Sequence, residues 1–307
     1  MESVCLVFIF NHKYEQNIEK LRRIYKNRFS TMRFIVPFYN GNPDKEIISV
    51  YESSYYFEGY YIQTLYKLME IDVDFFLFIA DDLILNPHIN EANFRDYFGL
   101  HGLKKCYLNE INMLNSSGGI GWMHSMYSSL PFFTKGVLWQ RELPPYDEAM
   151  TRFEQFFGQS YKEKYDEQFF YTGRETDNIA ELVQTFYENN KNSFDIPYPM
   201  AKGYSDVLII RKDDLSDFSH MCGIFSSMDV FAEIAIPTSL VLLFRRDEVT
   251  HLVDTTYTAK LLWFDYTFFS KVADDYKHDF SAFYNEWNDD WLYVHPIKLS
   301  EWDVNSL

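Results

Sequence analysis

The chain has 307 residues, enough for one large domain or two smaller ones, and its 47% hydrophobic content can fill a sizeable core. A formal net charge of −17 excludes the basic footprint of a general nucleic-acid binder and adhesion of the whole surface to anionic membranes. Cys5, Cys106 and Cys222 lie far apart, with neither zinc-site nor disulfide spacing, which points to a reducing compartment. The apolar run Val4 to Phe10 ends at Asn11-His12. It is too short to cross a membrane and lacks the basic flank of a signal peptide, so a cytoplasmic protein is expected.

In chain order, Val4 to Phe10 reads as a first strand, and Ile18, Leu21, Ile24 and Tyr25 then recur at helical spacing. Lys20, Arg22, Arg23, Lys26 and Arg28 load that helix with positive charge. This is either a solvated outer face or a local dock for an anionic lipid carrier or membrane edge. Met32 to Phe38 reads as a second strand, stopped by the turn Asn40-Gly41-Asn42-Pro43. Tyr60 to Ile71 fits a helix with Ile62, Leu65, Tyr66, Leu68 and Met69 along one side. Phe75 to Ala80 is apolar without alternation, as a strand buried on both faces should be. Strand–helix–strand–helix–strand implies right-handed crossovers and a parallel sheet.

Two carboxylates, Asp81 and Asp82, close that third strand, at the sheet edge where open α/β proteins place ligands. Adjacent like charges raise each other's pKa unless a cation or donors compensate. A divalent cation such as Mg²⁺ or Mn²⁺ does so, because hard cations prefer carboxylate oxygens. Read without a cation, Asp81 would cap the next turn and Asp82 would be solvated.

The pattern loosens between residues 100 and 200. Asn115 to Gly121 is a flexible segment before Trp122, and Pro131, Pro144 and Pro145 punctuate the chain after it. Residues 147–190 read as helical with many aromatics, among them Phe169 and Phe170. This region is expected to shape an acceptor site. Order returns at Gly203-Tyr204-Ser205-Asp206 and the apolar strand after it, then a helix over 212–226. A largely apolar helix follows over 228–243, which Pro237 should kink or divide. Glu233 sits among Phe231, Ala232, Ile234 and Ala235, where desolvation would raise its pKa toward that of a general base. Near the C-terminus, His295-Pro296-Ile297-Lys298 offers a metal ligand and a phosphate-neutralising charge.

Ala80-Asp81-Asp82, the Gly203–Asp206 segment with Glu233, and His295-x-x-Lys298 together resemble a GT-A fold nucleotide-sugar glycosyltransferase, of the kind that builds bacterial surface polysaccharide such as O-antigen or capsule. The resemblance implies one GT-A-like α/β domain over 1–307. Its mostly parallel central sheet would be flanked by helices, with a nucleotide-sugar half over 1–115 and a helical or irregular acceptor-side half over 116–307. It makes Asp82 the direct metal ligand, supported by Asp81 and His295, and makes Glu233 and Asp206 the catalytic acids. Asn11, His12, Asn40, Gln63 and Lys298 would bind the nucleotide sugar. The implied cofactor is Mn²⁺ or Mg²⁺ and the implied donor a UDP-hexose such as UDP-galactose or UDP-glucose. The implied acceptor is a glycan, with a lipid-linked saccharide as one form, and membrane contact is at most peripheral. The motif here is Asp-Asp-Leu, where many relatives have Asp-x-Asp. Two other readings compete: a metal-dependent nucleotidyltransferase or phosphohydrolase, for which no Gly-rich phosphate loop is present, and a non-catalytic carbohydrate-binding module.

Overall fold

Helices cover both faces of a mixed sheet, so its central strands are apolar on each side. The structure, a computed structural model, describes residues 2–11, 14–114, 142–161, 198–262 and 272–305. His12, the segment from Asn115 to Trp122, Pro131, and 162–190 with Phe169 and Phe170 lie outside the described residues. The strands are β1 (Val4–Ile9), β2 (Met32–Pro37), β3 (Ile47–Val50), β4 (Phe75–Ala80), β5 (Ile84–Leu85), β6 (Cys106–Leu108), β7 (Asn112–Met113), β8 (Ala201–Lys202), β9 (Val207–Arg211), β10 (Val249–Thr250), β11 (Thr258–Leu261) and β12 (Trp291–His295). The α-helices are α1 (Asn17–Tyr25), α2 (Glu58–Met69), α3 (Phe94–Tyr97), α4 (Tyr146–Phe157), α5 (Lys212–Ser226), α6 (Ala232–Leu243) and α7 (Phe280–Asn285).

Among the described residues, the central sheet has seven strands in the order β10-β6-β9-β4-β1-β2-β3. β1 runs parallel to β2 and β4, β2 parallel to β3, and β10 parallel to β6. β9 alone runs antiparallel, between β4 and β6. The α/β class and mostly parallel sheet expected from the sequence are therefore present. Alternate residues face opposite layers, as a period of two requires. Cys5, Val7, Ile9, Phe76 and Phe78 pack into one core with α2, α5 and α6, whereas Leu6, Phe8, Phe10, Phe75, Leu77 and Ile79 pack into the other with α1 and α7. A second sheet, β11-β12-β5, lies on the latter side.

Three expectations need correction. The buried face of α2 is Tyr60, Tyr61, Thr64 and Leu68, while Ile62, Tyr66 and Met69 are exposed. Large aromatics fill the gap to the sheet, with Tyr61 edge-on to Phe78 at 5.0 Å. Second, α6 starts at Ala232 rather than at 228, and Pro237 lies inside it without dividing it. Pro237 has no N–H for the carbonyl of Glu233 four residues back, and the Gly203 N–H takes that carbonyl instead at 2.9 Å.

Third, most of the basic residues of the first helical segment bind inward rather than forming a free dock. Lys20 donates to the carbonyls of Leu299, Ser300 and Trp302, and Arg28 to those of Asn86 and Ile89. Arg22 pairs with Glu19, Asp44 and Glu46, and Arg23 with Asn305. Among the described residues, no helix is long and apolar enough to cross a membrane.

At the start of α2, Glu58 is fully buried and its carboxyl meets no other residue's donor among the described residues. Burial, then Glu52 and Asp229, push it well above the ordinary carboxylate range. An acid raised on folding adds no penalty below its unfolded pKa, near 4.5, and destabilises as pH rises past that value. Glu58→Gln should therefore raise the unfolding free energy at neutral and alkaline pH and flatten its pH dependence, measured by urea titration at several pH values. An unchanged pH profile would show that Glu58 is ionised and solvated.

Candidate functional site

The site forms where β4 ends. The backbone N–H of Asp81 donates to the carbonyl of Ile9 at the end of β1, and Leu83 N–H closes a turn onto Ala80 O at 3.1 Å. That turn sends the chain into β5, which pairs antiparallel with β12 through Tyr293–Leu85 and Val294–Ile84. The register continues past the strand ends, because Ile297 N–H donates to Asp82 O at 2.7 Å. His295 is thus held against Asp82 although 213 residues separate them, with Nε2 2.9 Å from Asp82 Oδ1.

The two acids of the doublet have different surroundings. Asp81 is 2% exposed; its carboxylate accepts from Asn17 Nδ2 at 3.5 Å and from the backbone N–H of Asn11. Burial and the adjacent Asp82 hold the Asp81 carboxyl well above the ordinary range. The Asp82 side chain is 33% exposed and forms the outer member. Asp206 enters from the start of β9, its carbonyl accepting from Ala80 N–H at 2.9 Å, and the Tyr204 hydroxyl two residues before it bonds His295 Nδ1. Asp206 Oδ2 stands 3.9 Å from His295 Nδ1, and burial raises the pKa of Asp206 although His295 opposes the shift. Glu233, at the first turn of α6, accepts from the Ser205 N–H, and burial, then Asp206 and Glu110, lift it well above the ordinary range.

His295 is the imidazole that faces these acids. Burial alone would lower its pKa, but Asp82, Asp206 and Asp81 together raise it. His251 shows the opposite outcome. It is buried, with Nδ1 against the Leu108 carbonyl, and burial takes it down to about 4. The carboxylates around His295 make the difference.

The other candidates occupy different places. Asn11 sits beside Asp81, and its Oδ1 is buried with no donor among the described residues. Gln63 is exposed and its Oε1 accepts the Tyr51 N–H at 2.8 Å, which makes it a brace for the loop after β3. Asn40 is exposed beyond the end of β2. Lys298 is exposed and stands 3.9 Å from Glu301. Tyr204 and Ser205, noted in the sequence only as part of the Gly203–Asp206 segment, belong to the site, as does Asn17, which did not stand out. The Tyr204-x-Asp206 spacing is one available signal, since an extended segment points residues i and i+2 to the same side.

Among the described residues, no three His, Cys, Asp or Glu side chains converge as a closed metal cage. Asp82 and His295 instead offer one oxygen and one nitrogen donor, chemistry that suits Mn²⁺. A hard cation held by few protein groups completes its shell with water and phosphate oxygens. The donor set therefore fits a hard cation that keeps open positions in its shell.

No family model matches the sequence, and no curated protein matches it. Among solved structures, the chain is similar to the galactosyltransferase LgtC in complex with donor and acceptor sugar analogs. That match has 11% identity and a TM-score of 0.37, covering 98% of this chain and 93% of that one. It is also similar to core-mannan synthase A from Aspergillus fumigatus in its Mn/GDP form, with 9% identity and a TM-score of 0.36, covering 83% of this chain and 74% of that one.

Gly203 closes the site from behind, because a Cβ there would lie 2.2 Å from the backbone oxygen of Glu110. Gly203→Ala must move backbone and should cost about 1–3 kcal/mol, as overpacking does. Chemical denaturation checks this, and an unchanged midpoint would show that the segment yields freely.

Proposed function

We propose that this protein is a metal-dependent glycosyltransferase that moves a sugar from a nucleoside diphosphate donor to a saccharide acceptor. The observation that carries this reading is the Asp82–His295 pair at the carboxyl end of the sheet, beside the carboxyl groups of Asp81 and Asp206. Clustered carboxyl groups gain from a bound cation, and open α/β sheets place ligands at this edge. The finer form of the proposal is a UDP-hexose donor, UDP-galactose or UDP-glucose, and a glycan acceptor of surface polysaccharide synthesis, with a lipid-linked saccharide as one form. These details rest on the motif resemblance.

In this reading, Asp82 and His295 hold the cation and Asp81 supports Asp82 from below. The cation would act as a Lewis acid toward the leaving diphosphate. Lys298 contributes positive charge toward the same phosphates. Glu233 accepts the proton of the acceptor hydroxyl in an inverting transfer. Burial raises its pKa, the direction that makes a carboxylate a stronger base. Asp206 stands between Glu233 and His295 and links the proton-accepting and cation-holding sides.

Asp82→Asn should weaken Mn²⁺-dependent nucleotide binding by at least about tenfold while circular dichroism stays native. Equal affinity in both proteins by calorimetry would refute the cation-holding role. Glu233→Gln should keep donor binding and slow transfer by about 10²–10⁴-fold, as loss of a general base does. A rate near that of the wild type would make Glu233 structural.

A further inference from the structure

We propose that Lys20 is a positioning residue that pins residues 296–302 and so holds Lys298 beside Asp82. This inference rests on the reading of Lys298 as a contact for the donor diphosphate. The Lys20 ammonium donates to the carbonyls of Leu299 at 2.8 Å, Ser300 at 3.1 Å and Trp302 at 2.7 Å. An ammonium has three protons, so these three acceptors use all of its donor capacity. Lys20 is thus a clamp within the protein and not a docking charge for a phosphate. Its acceptors belong to the one-turn 3₁₀ helix Leu299–Glu301 and the residue after it, and carbonyls at the end of a helical turn attract a cation.

The clamped segment has a second anchor at its other end. The Ile297 N–H donates to the Asp82 carbonyl at 2.7 Å, two residues after the imidazole that meets the Asp82 side chain. Ile297 and Leu299 are buried on either side of Lys298, whose own side chain is 58% exposed. Lys298 therefore stands on a short span with Asp82 at one end and the Lys20 clamp at the other. α1 connects the two ends. Asn17, one helical turn before Lys20, brings its Nδ2 to 3.5 Å from Asp81 Oδ2, so one face of α1 meets both the acid doublet and the clamped turn. Arg23, a further turn along, bonds Asn305 and extends the grip toward the C-terminus. Without the ammonium, three carbonyls lose their shared donor and the span that carries Lys298 loses the polar anchor at its far end.

The test is Lys20→Met, which keeps the apolar stem and removes the ammonium. The probe is whichever of UDP, GDP and ADP the wild type binds most tightly with Mn²⁺, measured by calorimetry. Lys20→Met should weaken that binding by about tenfold while circular dichroism stays native, as expected for residues coupled through one network. In a Lys298→Ala background, Lys20→Met should change the affinity by less than about twofold, because the effect passes through Lys298. Equal losses in both backgrounds are what a merely structural role gives and would overturn the proposal, as would unchanged binding in Lys20→Met. If Lys20→Met does not fold, acetic anhydride labelling of the native wild type decides instead. Lys20 should then react far more slowly than Lys298, and equal rates would overturn the clamp. If the wild type binds none of the three nucleotides, the proposed function fails and takes this proposal with it. Wild-type binding that Lys20→Met leaves intact removes this proposal alone.

Discussion

The site depends on one constraint, the antiparallel pairing of β5 with β12. β5 begins two residues after Asp82 and β12 ends on His295, so the register of two short strands fixes the distance between carboxylate and imidazole. A slip of one residue would turn His295 to the opposite face of its strand and break the pair. Asp81, Asp82 and Asp206 would then lose the imidazole that faces them. Electrostatics and strand register are therefore coupled here.

The rest of the fold supplies rigidity around that pair. β4 is buried on both faces and flanked by β1 and β9, so the position of Asp81 and Asp82 is set by packing rather than by a loop. On the acceptor side, Pro237 frees the Glu233 carbonyl and Gly203 binds it, tying the start of α6 to the segment that carries Tyr204 and Asp206. A residue that normally interrupts helices here anchors a neighbouring chain segment. Glycine is required at the same point, because the Glu110 backbone leaves no room for a side chain.

Much of this scaffold is legible in the sequence, for identifiable reasons. β1, β2 and β4 are covered on both faces, and such strands appear as unbroken apolar runs. α1 and α5 follow their helical patterns closely. Strands of two or three residues, such as β5, β6 and β10, carry no period and leave no signal of their own. The antiparallel direction of β9 depends on pairings distant in sequence, and no local pattern encodes it. The α2 stripe departs from its periodic expectation because Tyr60 and Tyr61, not Ile62 and Tyr66, fill the space under the helix. Within the site, Asp82 and His295 stand out individually by residue type and place. Their contact does not, since a separation of 213 positions leaves no local trace of it.

The central claim is that the acid-rich edge around Asp82 and His295 holds a cation together with the diphosphate of a nucleotide sugar. The most direct measurement is equilibrium binding of a panel of nucleoside diphosphate sugars to the wild-type protein, with Mn²⁺ and then with excess chelator. The account predicts saturable binding of a preferred donor in Mn²⁺ that is lost in chelator. Binding of that donor with equal affinity in chelator, or no binding of any donor by the folded protein, would contradict it.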